Sequence, residues 1–501
     1  MTKTKSLIKD SVIYGGSSIL QKMVSWLMTF LFTATLIPEE FGIMTNLYAY
    51  IGLIIVMLTF GMETGFFRFA NQKEKYNPML VYSTVLLAVG TIVFVFFLIS
   101  QLFLPQFRSL IWDDHIPDNY IRVVILILSL DAFRAIPMAF LRYKKRPIKF
   151  ATVNILNVVL YALLCIFFLR ICPWINEKNP DLISWFYNPE FRLGYVFISN
   201  LIAAVIQTAC IIPELTGFKY KFDRQLAKQM FWYCLPLLLM GIAGVGNQVA
   251  DKILFPHFFS NPDIAFAQLG IYSACFKIAQ IMMMFTQAFR YAYEPFIFEK
   301  SKDENAEKAY ADVMKYFVLF GLFIFMGVVF YLDIIKNMIG SLSKEYWEAL
   351  GVVPIILIGE LFFAIYFNLS IWYKIKDKTY WGGIFSVIGC LVIVLVNLIF
   401  IPKFGYWACA WASLVGNGVI MLLSYFVGQK YYPIKYDLKT IGLYCGLTFV
   451  LYAISYYIPI KNEGLQIGFN TVLILIYLFV LVKRDLPLKE IPYINRFVKH
   501  E

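Results

Sequence analysis

The stretch Val123–Lys145, VVILILSLDAFRAIPMAFLRYKK, reads without a gap onto Val352–Lys374, VVPIILIGELFFAIYFNLSIWYK. The register pairs Asp131 with Glu360, Phe133 with Phe362, Ala135-Ile136 with Ala364-Ile365 and Lys145 with Lys374. A second pair of segments, Phe41–Phe69 and Leu269–Ile297, keeps nearly the same offset of about 228 residues through Phe41-Gly42-Ile43 and Leu269-Gly270-Ile271. Apolar segments share Val and Leu by chance, but matched acids inside apolar runs are rarer. A repeat at this distance implies two homologous halves. When such halves are membrane bundles, they commonly enclose a central site that opens alternately to two faces.

Working outward, 60% of the 501 residues are hydrophobic and only 15% are charged, whereas a soluble domain carries about 25% charge. A membrane span needs about 20 mostly apolar residues, and on that ruler the chain offers about fourteen candidates, from Ile8–Leu36 to Leu465–Val482. The expected fold is an all-α polytopic membrane protein with two pseudo-symmetric six-helix lobes. Residues 1–214 form the first lobe and 229–430 the second, joined by a linker at 215–228. Two further spans, Thr440–Ile458 and Leu465–Val482, have no partner in the repeat and read as a C-terminal hairpin within 431–501.

The net charge of +12 is topological. Lys3, Lys5 and Lys9, then Arg68, Lys73 and Lys75, then Arg142, Lys144, Lys145 and Arg146 crowd alternate connectors, and the series continues to the C-terminal tail. This positive-inside pattern places both termini in the cytoplasm, favours an even number of spans and argues against a nucleic-acid partner. The eight cysteines show no CxxC spacing and the three histidines are scattered, so no metal site is expected. Walker, HExxH and extramembrane Rossmann signatures are missing. No cofactor or catalysis is expected, and energy must come from an ion gradient or substrate mass action. The acid pair Asp113-Asp114 reads as a solvated loop.

Ionisable groups deep in a span cost at least ~2.5–3.5 kcal/mol on insertion scales, so they tend to face a partner or a wet cavity. Lys22 lies near the middle of the first span, on one helical face with Ser11, Ser18, Ser25, Thr29 and Thr33. That stripe reads as a cavity wall or as polar packing between helices. Lys277, Gln280, Gln287, Arg290 and Glu294 share a sector of the eighth span, with Arg290 and Glu294 towards its cytoplasmic end. Lys22 and Lys277 together would give a cleft a positive potential that favours an anion such as a diphosphate. Arg68 either meets an incoming phosphate or sets topology. Asp131 and Arg134, one turn apart, read as an intramembrane pair. Glu360 has Phe363 where Arg134 would stand, so it needs another partner or a proton. Asp251-Lys252, at the outer end of the seventh span, reads as a mutual pair or a snorkelling one. The aromatic loop Cys172–Phe191 reads as an interfacial anchor or as a lid.

The segments Phe41–Met44 and Gly61–Phe69, with Gln248–Leu254, Leu269–Ser273 and Ile401–Ala410, resemble bacterial polysaccharide-biosynthesis flippases. These belong to the multidrug/oligosaccharidyl-lipid/polysaccharide exporter superfamily. The resemblance implies alternating access and a polyprenyl-diphosphate-linked oligosaccharide carried across the bacterial cytoplasmic (inner) membrane. It further implies membrane lipids and H+ or Na+ as partners, contact with polysaccharide polymerase machinery, and a lipid-facing groove built with the last two helices. Several relatives line the cavity with arginines, where this chain offers mainly Lys22 and Lys277. Read from their polar faces and their charges within spans, the residues expected at the substrate are Lys22, Ser25, Arg68, Lys277, Gln280, Gln287 and Arg290; those expected in ion coupling or intramembrane pairing are Asp131, Arg134, Asp251 and Glu360. The alternatives are a cation-coupled multidrug exporter of the same superfamily, which mid-span lysines disfavour, and a membrane polymerase or ligase, for which the outer loop is small.

Overall fold

A computed structural model describes residues 2–111, 116–300, 305–340, 342–458, 460 and 462–485. Asp113, Asp114 and the side chains of Ser11 and Glu294 lie outside the described residues. The fold is all-α, with no strand among the described residues. The long helices run α1 Thr2–Thr33, α2 Pro38–Thr59, α3 Pro78–Leu102, α4 Asp118–Tyr143, α5 Pro147–Ile166, α6 Arg192–Cys210 and α7 Arg224–Leu254. They continue as α8 Pro262–Lys300, α9 Ala306–Phe330, α10 Val353–Leu369, α11 Tyr380–Phe404, α12 Tyr406–Tyr431, α13 Leu438–Tyr457 and α14 Glu463–Arg484. Among the described residues thirteen spans are long and apolar enough to cross a membrane, and α1 is not one of them. Its 32 residues reach far enough, but Ser17, Ser18, Gln21, Lys22 and Ser25 make it the most polar of the set.

Local chemistry sets the ends. Asn77, Asp223, Asp437 and Asn462 each accept a backbone N–H of the helix that follows, which caps α3, α7, α13 and α14. Proline opens α2, α3, α5 and α8, where its missing N–H costs nothing. The span begun by α2 breaks at Phe60 and Gly61, both left-handed (φ 52° and 65°), and resumes as Met62–Ala70. Phe60 stacks on Phe231 of α7 with centroids 4.8 Å apart, and the Cys234 thiol donates to the Gly61 carbonyl at 3.5 Å. The break is therefore held by α7.

α2 is the central helix, packed against α8, α7 and α4. At its crossing with α8 two backbones touch. A Cβ on Gly42 would lie 1.8 Å from the carbonyl oxygen of Phe266, and a Cβ on Gly270 would lie 1.8 Å from that of Pro38. Each glycine would also bring that Cβ within 3.0 Å of the other's nitrogen. The contact is reciprocal: exchanging the two segments reproduces it, as across a local two-fold axis. Only glycine allows this approach, which puts Cα–H groups against carbonyl oxygens.

Elsewhere α1 lies on α5 and α8, α6 on α4 and α5, α11 on α7 and α12, and α10 on α12. The hairpin α13–α14 docks on α9: Asn470 donates to the Phe330 carbonyl at 2.8 Å and the Tyr477 hydroxyl to the Leu319 carbonyl at 2.8 Å. Phe94, Leu102, Leu163, Phe449 and Phe479 stand exposed on the outer surface, as lipid-facing side chains must.

Substituting Gly42→Ala or Gly270→Ala is expected to cost ~1–3 kcal/mol through overpacking and to lower the melting temperature in detergent by several degrees. Gly244→Ala on α7, where a Cβ meets nothing within 4 Å, is the control and is expected to be neutral or slightly stabilising. Equal melting temperatures for all three would refute the crossing.

Candidate functional site

Between α1, α2, α5, α6, α7 and α8 lies a cavity of about 780 Å³, within the usual range for small-molecule sites. α1 turns Ser18, Lys22, Ser25 and Thr29 into it, at steps of four, three and four. The opposite face of α1 carries the exposed Leu20, Met23 and Leu27. Thr33 leaves the stripe and donates to the Thr29 carbonyl of its own helix at 3.0 Å. From α8 come Lys277, Gln280 and Gln287. The Trp26 indole donates to the Lys277 carbonyl at 2.8 Å, which ties α1 to α8 across the rim.

A third ammonium joins them. Lys252 of α7 lines the cavity and also grips Asp251, its Nζ 2.9 Å from both carboxylate oxygens. The Tyr272 hydroxyl donates to the same carboxylate at 2.7 Å. Lys252 Nζ sits 3.8 Å from the centroid of Phe276, and Asn46 of α2 donates to the Lys252 carbonyl at 2.8 Å. The pair is thus built in from three helices. The sequence marks Asp251-Lys252 as a mutual or a snorkelling pair; the structure has the mutual pair, and it adds Lys252 to the cavity lining. No Asp or Glu lines the cavity among the described residues.

Two of the expected cations lie elsewhere. Arg68 stacks on Tyr233 with its guanidinium carbon 4.2 Å from the ring centroid, and Arg290 stacks likewise on Phe367 at 4.3 Å. Neither is among the cavity-lining residues. Cation–π contacts of this kind satisfy a basic side chain near a span end. Asp131 is bonded to Arg134, whose guanidinium also donates to the Ala204 carbonyl at 2.7 Å and so pins α4 to α6. Glu360 is buried with no hydrogen-bond or ion-pair partner among the described residues, in the electrostatic field of Lys252 and Asp251. No group of three or more His, Cys, Asp or Glu that could hold a metal occurs among the described residues.

The remaining wall is neutral. Tyr48 of α2, Asn157 and Tyr161 of α5 and Asn200 of α6 line it, and Asn200 donates to the Tyr48 hydroxyl at 2.9 Å. None of these stood out in the sequence, although Asn154, Asn157 and Tyr161 follow helical steps within an apolar span. Where α2 and α8 begin, the glycine crossing holds them together, and the Tyr346 hydroxyl donates to the Leu36 carbonyl at 3.0 Å beside Phe41, which lines the cavity. A second hollow of about 760 Å³ lies between α9, α10, α12 and α13. Its lining is almost wholly apolar, with Val318, Leu322, Phe325, Ile358, Leu361 and Phe449 among its members.

No family model matches the chain. An uncharacterized membrane protein of Haemophilus influenzae is 22% identical over 308 residues, covering 60% of this chain and 68% of that protein. The fold matches that of the lipid II flippase MurJ in an inward closed conformation, with a TM-score of 0.72 at 14% identity over 95% of this chain and 99% of MurJ. It also matches a multidrug-resistance transporter of the MATE family of the MOP superfamily, inward-facing, with a TM-score of 0.62 at 11% identity over 82% of this chain and 94% of that one. The chain is a multi-pass membrane protein with the fold of MOP superfamily transporters.

Removing one partner of a buried ion pair costs ~3–5 kcal/mol, while replacing both by apolar groups is often close to neutral. Asp251→Asn is therefore expected to lower the melting temperature sharply, and Asp251→Leu combined with Lys252→Met to restore most of it. A double variant no more stable than the single one would show that the pair is not a self-contained unit.

Proposed function

We propose that this protein is a flippase that moves a polyprenyl-diphosphate-linked oligosaccharide across the bacterial cytoplasmic membrane by alternating access. The single observation that carries the reading is the membrane-embedded cavity with Lys22, Lys252 and Lys277 and no lining carboxylate among the described residues. Such a site attracts anions strongly, because a low-dielectric cleft focuses the field of its charges. It repels the organic cations that a multidrug exporter would carry. The apolar hollow beside α13 supports a substrate with a hydrocarbon tail: the tail stays in an apolar environment while the charged headgroup crosses in the polar cavity.

Two pseudo-symmetric lobes, related through the α2–α8 crossing, would rock about it. In this reading the cavity takes up its substrate from the end where the basic connectors lie, which the positive-inside rule assigns to the cytoplasm. MurJ is by its name a lipid II flippase, and its likeness in fold over nearly the whole chain supports a lipid substrate here. Lysines in place of arginines suit a point-charge grip on the diphosphate. Ion coupling is assigned to Glu360 with Asp251 and Lys252, and the Asp131–Arg134 pair to holding α4 on α6.

In proteoliposomes carrying a fluorescent polyprenyl-diphosphate sugar, the wild-type protein is expected to speed the exchange of the lipid between leaflets. Lys22→Glu and Lys277→Glu are each expected to abolish that exchange without loss of insertion. Absence of protein-dependent lipid movement, together with efflux of organic cations, would replace this reading with the exporter one.

A further inference from the structure

Resting on the flippase reading, we propose that the cavity is divided by chemistry, with a sugar subsite on the wall formed by α2, α5 and α6 opposite the lysines of α1, α7 and α8. Every described lining residue that α2, α5 and α6 contribute is uncharged. Four of them, Tyr48, Asn157, Tyr161 and Asn200, bring hydroxyls and amides, and all four are half-buried. These groups both donate and accept, as sugar hydroxyls do, whereas an ammonium only donates.

Their order is set before any ligand arrives. Asn200 donates to the Tyr48 hydroxyl at 2.9 Å, which ties α6 to α2. One turn back from Asn157, Asn154 is already engaged: its side chain accepts from Gln207 and its carbonyl accepts from Gln21, both at 3.2 Å. That ties α5 to α6 and α1 and fixes the face that carries Asn157. The Asn157 Oδ1 atom is buried and has no hydrogen-bond partner. Elsewhere in the same lining, on α8, the Ser273 hydroxyl and the Gln287 carbonyl oxygen are also without partners. Buried polar atoms are nearly always paired, so three orphans around one cavity mark places that a polar ligand completes. Phe32 and Tyr161, with centroids 6.4 Å apart, add apolar faces for the C–H side of a sugar ring.

The phosphates have a better place. Charge-assisted hydrogen bonds are about twice as strong as neutral ones, and the ammoniums lie on the other wall. The substrate is thereby oriented, with its diphosphate towards α1, α7 and α8 and its first sugar against α5 and α6. The neutral wall sets which sugars are carried, and the lysines set that a diphosphate is.

Two probes separate these roles: a fluorescent polyprenyl diphosphate without sugar, and the same lipid bearing one sugar. Binding of each is measured to the full chain in nanodiscs. Tyr161→Phe, which removes only a hydroxyl, and Asn157→Leu are each expected to weaken the sugar-bearing lipid by ~3–10-fold. Both should leave the sugar-free lipid unchanged. Lys277→Met is expected to weaken both lipids alike. Equal losses for the two lipids in Tyr161→Phe, or no loss for either in both neutral-wall variants, would overturn the subsite while leaving the flippase reading intact. Failure of the wild-type protein to bind either lipid would overturn the flippase reading itself, and the subsite with it.

Discussion

Two glycine backbones in contact, Gly42 on α2 and Gly270 on α8, govern the geometry of the rest. Inside a bilayer the solvent is as apolar as the side chains, so helices are held by close packing and polar contacts rather than by hydrophobic burial. A crossing this tight sets how α2 and α8 lie against each other, and both helices go on to line the cavity. Because α8 is held there, Lys277 and Gln280 present to α1, and the Trp26–Lys277 hydrogen bond carries the constraint to the first helix. The Asn46–Lys252 contact carries it from α2 to α7.

Charge is distributed over this frame by cost. An ammonium in the membrane is expensive unless hydrated or paired. Lys252 is paired, while Lys22 and Lys277 are kept where the cavity can hydrate them. Among the described residues no carboxylate belongs to the lining, so the charges of Lys22 and Lys277 are not cancelled where a ligand would sit. Asp251 lowers the cost of Lys252 without cancelling the charge of the other two.

The repeat, the helix count and the polar face of α1 were legible because they are periodic, and period survives whatever the tertiary packing does. Ser18, Lys22, Ser25 and Thr29 fall on one face by arithmetic alone. The first span shows the limit of that ruler: the polarity that marks it as a cavity wall also keeps it below the apolarity of an ordinary span. Arg68 and Arg290 were not legible as aromatic-bound, since their partners Tyr233 and Phe367 lie far off in the chain. Tyr48 and Asn200 escaped for the same reason, being single polar residues whose facing is decided by neighbouring helices. The break in α2 has only Gly61 to announce it, and the unusual backbone of Phe60 is set by its contact with α7.

The repeat-related acids show how a symmetric frame acquires an asymmetric purpose. Asp131 has Arg134 one turn on, and that guanidinium reaches across to α6, so the acid is committed to holding two helices together. In the equivalent place Phe363 stands one turn after Glu360, and among the described residues no ion-pair partner replaces the arginine. A buried acid without such a partner ties no neighbouring helix, so the matched position holds two helices together in one half of the repeat and not in the other.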